Sequence, residues 1–277
     1  MTSTHARGVL LVCISAIAFS TAGLFTKGVS ADVWVVIYWR GISAAAVTLG
    51  YVMLSGGFWH EMARFRWAAV LATLLSASGT LAFIPAFKLT SIANVALIWA
   101  SAPFITALLA WLVLKERPSR RVVLASGVAI AGVFVVISGS FGGGNLLGDS
   151  LAFWMTLMIA GLMVLYRRWP ETPVALPNVL ASLVLLPASL WFSAPMQVAP
   201  MELWILLGFG VLFAVASVTF VMGAKFLPAA ETALFSALET PLAPIWAFLL
   251  LGELPTVAAV IGGTMILSAL IWSQTKR

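Results

Sequence analysis

Charge is scarce in this sequence: 9% of its 277 residues are Asp, Glu, Lys or Arg. A soluble domain of that length carries roughly a quarter. So little charge excludes a globule bathed in water, whereas a bilayer lets the outside of a helical bundle stay apolar. Cysteine is nearly absent, and the lone Cys13 excludes an intramolecular disulfide and a cysteine metal cluster. The two histidines, His5 and His60, lie outside the apolar runs. There is no His-Glu-x-x-His, no Gly-x-Ser-x-Gly and no pair of intramembrane aspartates, so an intramembrane enzyme, the alternative from another function class, has no constellation to work with, and no metal site is expected. No Asn-x-Ser/Thr sequon occurs. The 15 Lys and Arg outnumber nine Asp and Glu, but no basic run with interleaved aromatics is present, which argues against nucleic acid as a partner. Neither a ring of charges nor a repeated filter sequence marks a channel.

What is abundant is apolar. Hydrophobic residues make up 62% of the chain, with 12 Trp and 17 Phe against three Tyr. Apolar runs of about 20 residues, each long enough to cross a bilayer, are read at 7–29, 33–55, 67–88, 92–114, 121–140, 149–168, 174–194, 202–224, 230–251 and 256–273. The first run continues to Phe25 without a cleavage site, so it is a span and not a signal peptide. The short connections leave no room for a soluble domain of the kind a sensor or scaffold carries. With the N-terminus in the cytoplasm, 12 of the 15 basic residues fall on the cytoplasmic side, from Arg7 to Lys276 and Arg277. Only Lys27 and Lys88 fall on the other side, and Arg40 lies within a span. Nine or eleven spans would scramble that asymmetry, so both termini are expected in the cytoplasm.

The fourth and fifth spans resemble the ninth and tenth. In KLTSIANVALIWASAPFITALLAWLVLKERP (88–118) and KFLPAAETALFSALETPLAPIWAFLLLGELP (225–255), a Lys, a Glu and a Pro recur 137 residues apart, with Pro103 and Pro241 one residue out of step. The expectation is an all-α polytopic membrane protein with ten transmembrane helices in two related halves, 1–140 and 141–277. Five spans per half, an odd number, make the second half enter from the opposite side, an inverted repeat. LKERPSRR after the fourth span is basic, whereas its counterpart LGELPTVA has no basic residue, as opposite orientation requires.

The two Pro-containing spans that close on L-x-E, Pro103 through Glu116 and Pro241 through Glu253, together with GDSLAFWMTLMIAGLMVLYRR from Gly148, resemble the drug/metabolite transporter superfamily, in its ten-helix group with two EamA-type halves. The Trp in LIWASAPF and the length without tails make the chain most similar to the aromatic amino-acid exporters of that group. The resemblance implies a secondary transporter in the cell inner (plasma) membrane, a central cavity between the halves, alternating access and no tightly bound cofactor. It implies export of small molecules, aromatic and other neutral amino acids, from a protein that is a monomer or homodimer. A multidrug or other small-metabolite exporter is the alternative within the superfamily. The smallest multidrug exporters use a glutamate in the first span, and this first span has no acid.

Proline removes a backbone hydrogen bond and displaces the carbonyl four residues earlier. Pro103, Pro241 and Pro244 should therefore free the carbonyls of Trp99, Ala237 and Thr240 and act as hinge or gating positions. Paired Pro-interrupted spans point to a transporter's site; prolines that merely bend helices are the plainer reading. Glu239 lies eight residues beyond Glu231, roughly 12 Å into its span, and an intramembrane carboxylate is costly. It could hold an amino group, exchange a proton, or stay protonated against the broken turn near Pro241. Ser20, Thr21, Ser101 and Ser217 are candidate donors to a substrate carboxylate. Trp99 would stack on a ring or pack. Phe83, Met158 and Phe235 would line a cavity if they face inward. Arg40 should snorkel to the interface or pair with Asp32. Glu116 and Glu253 should cap or gate their loops. The small-residue stripes Ala125–Gly132 and Gly262–Ser268 should permit close helix packing, within the bundle or between copies.

Overall fold

The computed structural model describes residues 3–140, 145–227 and 229–274. The expected junction of the halves at Phe141, and the terminal Lys276 and Arg277, lie outside the described residues. The helices in chain order are α1 (Ser3–Ser20), α2 (Ala22–Lys27), α3 (Val33–Leu54), α4 (Phe58–Ala63), α5 (Trp67–Leu89), α6 (Ile92–Trp99), α7 (Ala102–Leu114), α8 (Arg120–Ser138), α9 (Leu146–Arg168), α10 (Ala175–Val184), α11 (Leu186–Phe192), α12 (Pro200–Ala224), α13 (Ala229–Ser236), α14 (Glu239–Leu251) and α15 (Val257–Gln274). No strand occurs among the described residues. Among the described residues eight stretches are long and apolar enough to cross a membrane, three of them made of two successive helices: α1 with α2, α6 with α7, and α10 with α11. α14 and α15 are shorter apolar helices. The chain is an all-α polytopic membrane protein.

Several helix starts are closed by side chains, which satisfy N–H groups that have no partner within the helix. The Asp32 carboxylate accepts from the N–H groups of Trp34 (2.6 Å) and Val35 (3.2 Å) at the start of α3. Ser91 accepts from Asn94 N–H at the start of α6, and Ser119 from Val122 N–H at the start of α8. Glu61 closes the start of α10, accepting from the N–H groups of Ala175 and Leu176. Pro187 and Pro200 sit in the first turns of α11 and α12, where a missing N–H costs nothing.

The described chain falls into two compact units. One joins the residues up to Trp59 to Val179–Gly252, and the other joins His60–Asn178 to the segment from Glu253 onward. Each unit takes segments from both sequence halves. In the first unit α12 packs along both α1 and α3. Gly210 on α12 sits against Ser43 and the Arg40 carbonyl of α3, and Gly223 sits against Val12 and the Gly8 carbonyl of α1. A side chain at either position would push the helices apart.

In the second unit α5 packs along α9 and α8 along α15. The α8–α15 contact is backbone on backbone at Gly132 and Gly262, both buried. A Cβ on Gly132 would stand 2.8 Å from the Gly262 carbonyl oxygen and 2.9 Å from Ile266. This part of the expected stripe packs within the bundle. Gly127, five residues earlier on α8, has nothing within 4 Å of an added Cβ. Gly132→Val should therefore cost about 1–3 kcal/mol by overpacking, read as a lower Tm of the purified protein in detergent. Gly127→Ala should leave Tm unchanged or raise it slightly through helix propensity. Equal Tm values for Gly132→Val and the unsubstituted protein would remove the close-packing argument.

Candidate functional site

Two broken helices carry most of the residues that the sequence marks out. In the second unit the break falls between α6 and α7, at Ala100 and Ser101. Pro103 stands in the first turn of α7, so its missing N–H falls where a helix start has no partner for it. The chain bridges the gap with tightened turns. Ala100 N–H donates to Ala96 O (3.0 Å), and Ser101 N–H to Ile98 O (3.1 Å). The Ser101 hydroxyl, fully buried, donates to the same Ile98 oxygen at 2.6 Å. On the far side Phe104 and Ile105 N–H both reach Ser101 O. Trp99, half-buried, is the last residue of α6.

In the first unit the break falls between α13 and α14, at Ala237 and Leu238. The Ala237 carbonyl, expected to be freed by Pro241, accepts from Thr240 N–H at 3.2 Å, so that expectation is corrected: a three-residue turn satisfies it. Glu239, half-buried, opens α14. Two turns further on the same helix, Trp246 Nε1–H donates to the Ser20 hydroxyl at 3.0 Å. Ser20 ends α1 at that helix's own break, and its hydroxyl in turn donates to Ile17 O at 2.7 Å. Thr21 also donates back, to Ala18 O.

The two breaks match in detail. α13 and α14 begin and end 137 residues after α6 and α7 do, giving helices of 8 and 13 residues each time. Both longer pieces end on a residue in the left-handed region: Lys115 with φ 59° and Gly252 with φ 66°, again 137 apart. A helix ends readily in this way, but at Lys115 the turn is made without glycine's freedom.

The other expected residues separate by unit. Phe83 on α5 and Met158 on α9 belong with Trp99 and Ser101 in the second unit, both half-buried. The Phe83 ring meets Phe87 edge-on at 5.0 Å. An added Cβ on Gly79 of α5 would lie 3.6 Å from Met158 Cβ, so that methionine faces α5. Ser217 on α12 and Phe235 on α13 belong with Ser20, Glu239, Pro241 and Pro244 in the first unit. The Ser217 hydroxyl donates to Phe213 O at 2.9 Å. All three expected serine donors thus spend their hydrogens on backbone carbonyls one turn earlier, which leaves their oxygens as acceptors. Arg40 does not snorkel: it is 5% exposed, with its guanidinium 4.1 Å from the centre of the Phe213 ring and 5.2 Å from that of Phe209. Glu253 accepts from Ile92 N–H at 2.6 Å and so caps α6, while Glu116 holds Arg167 at 2.8 Å. No group of three or more metal-ligating side chains occurs among the described residues.

One polar centre escapes the sequence reading. Asp149, in the first turn of α9, is fully buried. Its carboxylate accepts from the Thr90 and Ser140 hydroxyls, each at 2.5 Å, and from the Asn94 amide at 3.1 and 3.2 Å. The signal for it was Asn94, the one amide in an otherwise apolar run, together with the acid that opens GDSLAFW. The network ties the first turn of the broken helix to α9 and to the end of α8. Asp149→Asn puts an amide donor before three donors, which should cost about 1–3 kcal/mol in the Tm of the purified protein. Thr90→Val should cost less, because one hydroxyl is lost and the acceptor keeps two others. An unchanged Tm for Asp149→Asn would remove the network's structural role.

These features can be set beside known proteins. A chain of known crystal structure superposes with a TM-score of 0.69 at 18% identity, covering 96% of each chain, which establishes a shared fold. The uncharacterized transporter YyaM of Bacillus subtilis (strain 168) is 29% identical over 265 residues, 89% of this chain and 84% of its own length. The sequence profile of the EamA-like transporter family matches twice, over residues 6–138 and 146–274. With nearly its whole length matched, and with its apolar helices and paired breaks, the chain belongs to the EamA-like transporter family.

Proposed function

We propose that this protein is a secondary transporter that exports aromatic and other neutral amino acids across the inner membrane by alternating access. The observation that carries the reading is the pair of broken helices, equal in length and 137 residues apart, each ending in a left-handed cap. Interrupted helices at corresponding positions of two halves are where carriers hold substrate, because the interruption presents backbone and polar groups inside the membrane. The double match to one family profile supports two related halves, 1–140 and 141–277. The proposal keeps ten spans, an inverted second half and both termini in the cytoplasm. For the ninth span it counts α13 with α14, and for the tenth α15.

In this reading the breaks beside Pro103 and Pro241 are flexing points, and Pro244, inside α14, is a further one. Glu239 handles the substrate's amino group or a coupled proton, and Trp99 stacks on an aromatic side chain. The fully buried Ser20 and Ser101 keep the α1–α2 and α6–α7 breaks closed through their hydroxyls; Phe83 and Met158 contribute apolar surface in the second unit, and Ser217 and Phe235 weakly polar and apolar surface in the first. Cationic drugs would need an acid early in the chain's apolar core, and the first span has none, which favours amino acids over the multidrug alternative.

Reconstituted vesicles test this. Amino acids should compete for uptake into inverted vesicles while cationic drugs and sugars do not; competition by the drugs alone would give the multidrug reading instead. Glu239→Gln should lower transport at least about tenfold, the scale of about 1.4 kcal/mol, or abolish its pH dependence, with an unaltered Tm. Unchanged rate and unchanged pH profile would reject a role for Glu239 in transport. Trp99→Ala should weaken aromatic substrates about fivefold more than alanine or serine, since a ring-on-ring contact contributes about 0.5–1.5 kcal/mol. Equal loss for both classes would count against stacking.

A further inference from the structure

A groove runs along the second unit, between α7 and α8. α7 packs along α9 and α8 along α15, and α7 and α8 also touch each other. The space left has a volume of about 430 Å³, lined on α7 by Ala107, Leu108 and Trp111 and on α8 by Val123, Ser126, Gly127 and Ile130. Gly127 deepens the floor, because an added Cβ there meets nothing within 4 Å. The Ser126 hydroxyl donates to Val122 O and so offers no hydrogen to the groove. The walls are therefore apolar, although Trp111 and Leu108 remain exposed.

Arg117 and Pro118 close one end. Arg117 is exposed, as are Lys115 and Arg120 beside it. The only acid in the KERPSRR connection, Glu116, is engaged by Arg167 at 2.8 Å, so it does not neutralise the arginine at the groove. Arg121 turns toward α15, its guanidinium 5.9 Å from the centre of the Trp272 ring. Unbalanced positive charge thus stands at the mouth of an apolar slot. Val123 and Ile130 lie seven residues apart, about 10 Å along α8. That takes the slot from the basic connection well into one leaflet of a hydrocarbon core about 30 Å thick. The shape and the charge fit a molecule with an anionic head and a long apolar tail that lies parallel to the helices.

We infer that this groove is a binding site for an anionic phospholipid, whose phosphate meets Arg117 and one of whose acyl chains lies along Leu108, Trp111, Gly127 and Ile130. Guanidinium pairs with phosphate through two parallel hydrogen bonds, and basic pockets between transmembrane helices on the cytoplasmic face select anionic head groups. The site holds α7, the longer piece of a broken helix, against α8. Its placement in the cytoplasmic leaflet rests on the proposed orientation; binding itself does not.

Native mass spectrometry of the purified full chain in detergent, titrated separately with palmitoyl-oleoyl phosphatidylglycerol and phosphatidylcholine, tests the inference without any transport measurement. The expected result is phosphatidylglycerol retained at least about fivefold over phosphatidylcholine. Arg117→Gln should bring the two to the same level, and Gly127→Leu, which fills the floor, should lower retention of both. Arg117→Gln lies in an exposed connection, so it keeps the test decisive whether or not Gly127→Leu folds. Equal retention of both lipids by the unsubstituted protein would overturn the site. So would phosphatidylglycerol retention undiminished by Arg117→Gln. Efficient disulfide linkage between two copies through Gly127→Cys in membranes would assign the groove to a second copy and overturn the lipid as well.

Discussion

A peptide N–H or C=O left without a partner in hydrocarbon costs several kcal/mol, and this one constraint governs how the chain can be interrupted. Where the breaks occur, the backbone does not open; it tightens. At Ser101 the bridging bonds run to residues three and four positions back, and the serine hydroxyl adds a second donor to Ile98 O. At Ala237 and Leu238 the same shortening appears through Leu238 N–H to Phe235 O and Thr240 N–H to Ala237 O. The break at Thr21 follows suit, with the Ser20 and Thr21 hydroxyls each donating to the carbonyl three residues earlier. At the Ser101 break a small hydroxyl residue is therefore the complement of proline: Pro103 lacks a donor, and Ser101 supplies one nearby.

How much of this could be read from the sequence depended on whether the signal was local. The apolar runs, the position of Pro103 and the 137-residue spacing are local or periodic, and each marks an element that the fold contains. The exact bonding at a break is not local in that sense. Pro241 was expected to orphan the Ala237 carbonyl, but the chain is free to adopt a three-residue turn, and it does. Arg40 shows a second kind of limit. Its distance from a span end suggested snorkelling, yet Phe209 and Phe213, some 170 residues away, set their rings against the guanidinium inside the unit. Asp149 shows a third. Its three donors come from Thr90, Asn94 and Ser140, scattered over two earlier helices and their ends, so no spacing in the sequence announces them.

The paired breaks also show what was kept and what was allowed to differ. Length, break position and left-handed cap agree, since all three follow from the backbone. Side-chain chemistry does not agree. Gly252 makes its left-handed turn without strain while Lys115 makes the same turn with a Cβ, and Glu239 stands where the first broken helix has Ala102. Backbone geometry constrains residue type weakly when the segment is short and its hydrogen bonds are closed locally. The polar residues were thus free to take separate tasks.

The third residue of each broken helix carries this furthest. Asn94 on α6 and Glu231 on α13 occupy corresponding positions, and each reaches the first turns of a long neighbouring helix: Asn94 to Asp149 on α9, Glu231 to His5 on α1 at 2.7 Å. The contact is the same in kind but not in strength. Asp149 is wholly buried and held by three donors, so parting it from Asn94 would strand a carboxylate and its donors away from water. The His5 and Glu231 side chains are 31% and 43% exposed, and water can replace their contact at little cost. The start of α6 is therefore fastened to its neighbour and the start of α13 is held lightly. Two helices with the same backbone break thus differ in how readily their short pieces can let go: the start of α6 is held through Asn94, Thr90 and the Glu253 cap, and the start of α13 through the exposed His5–Glu231 contact.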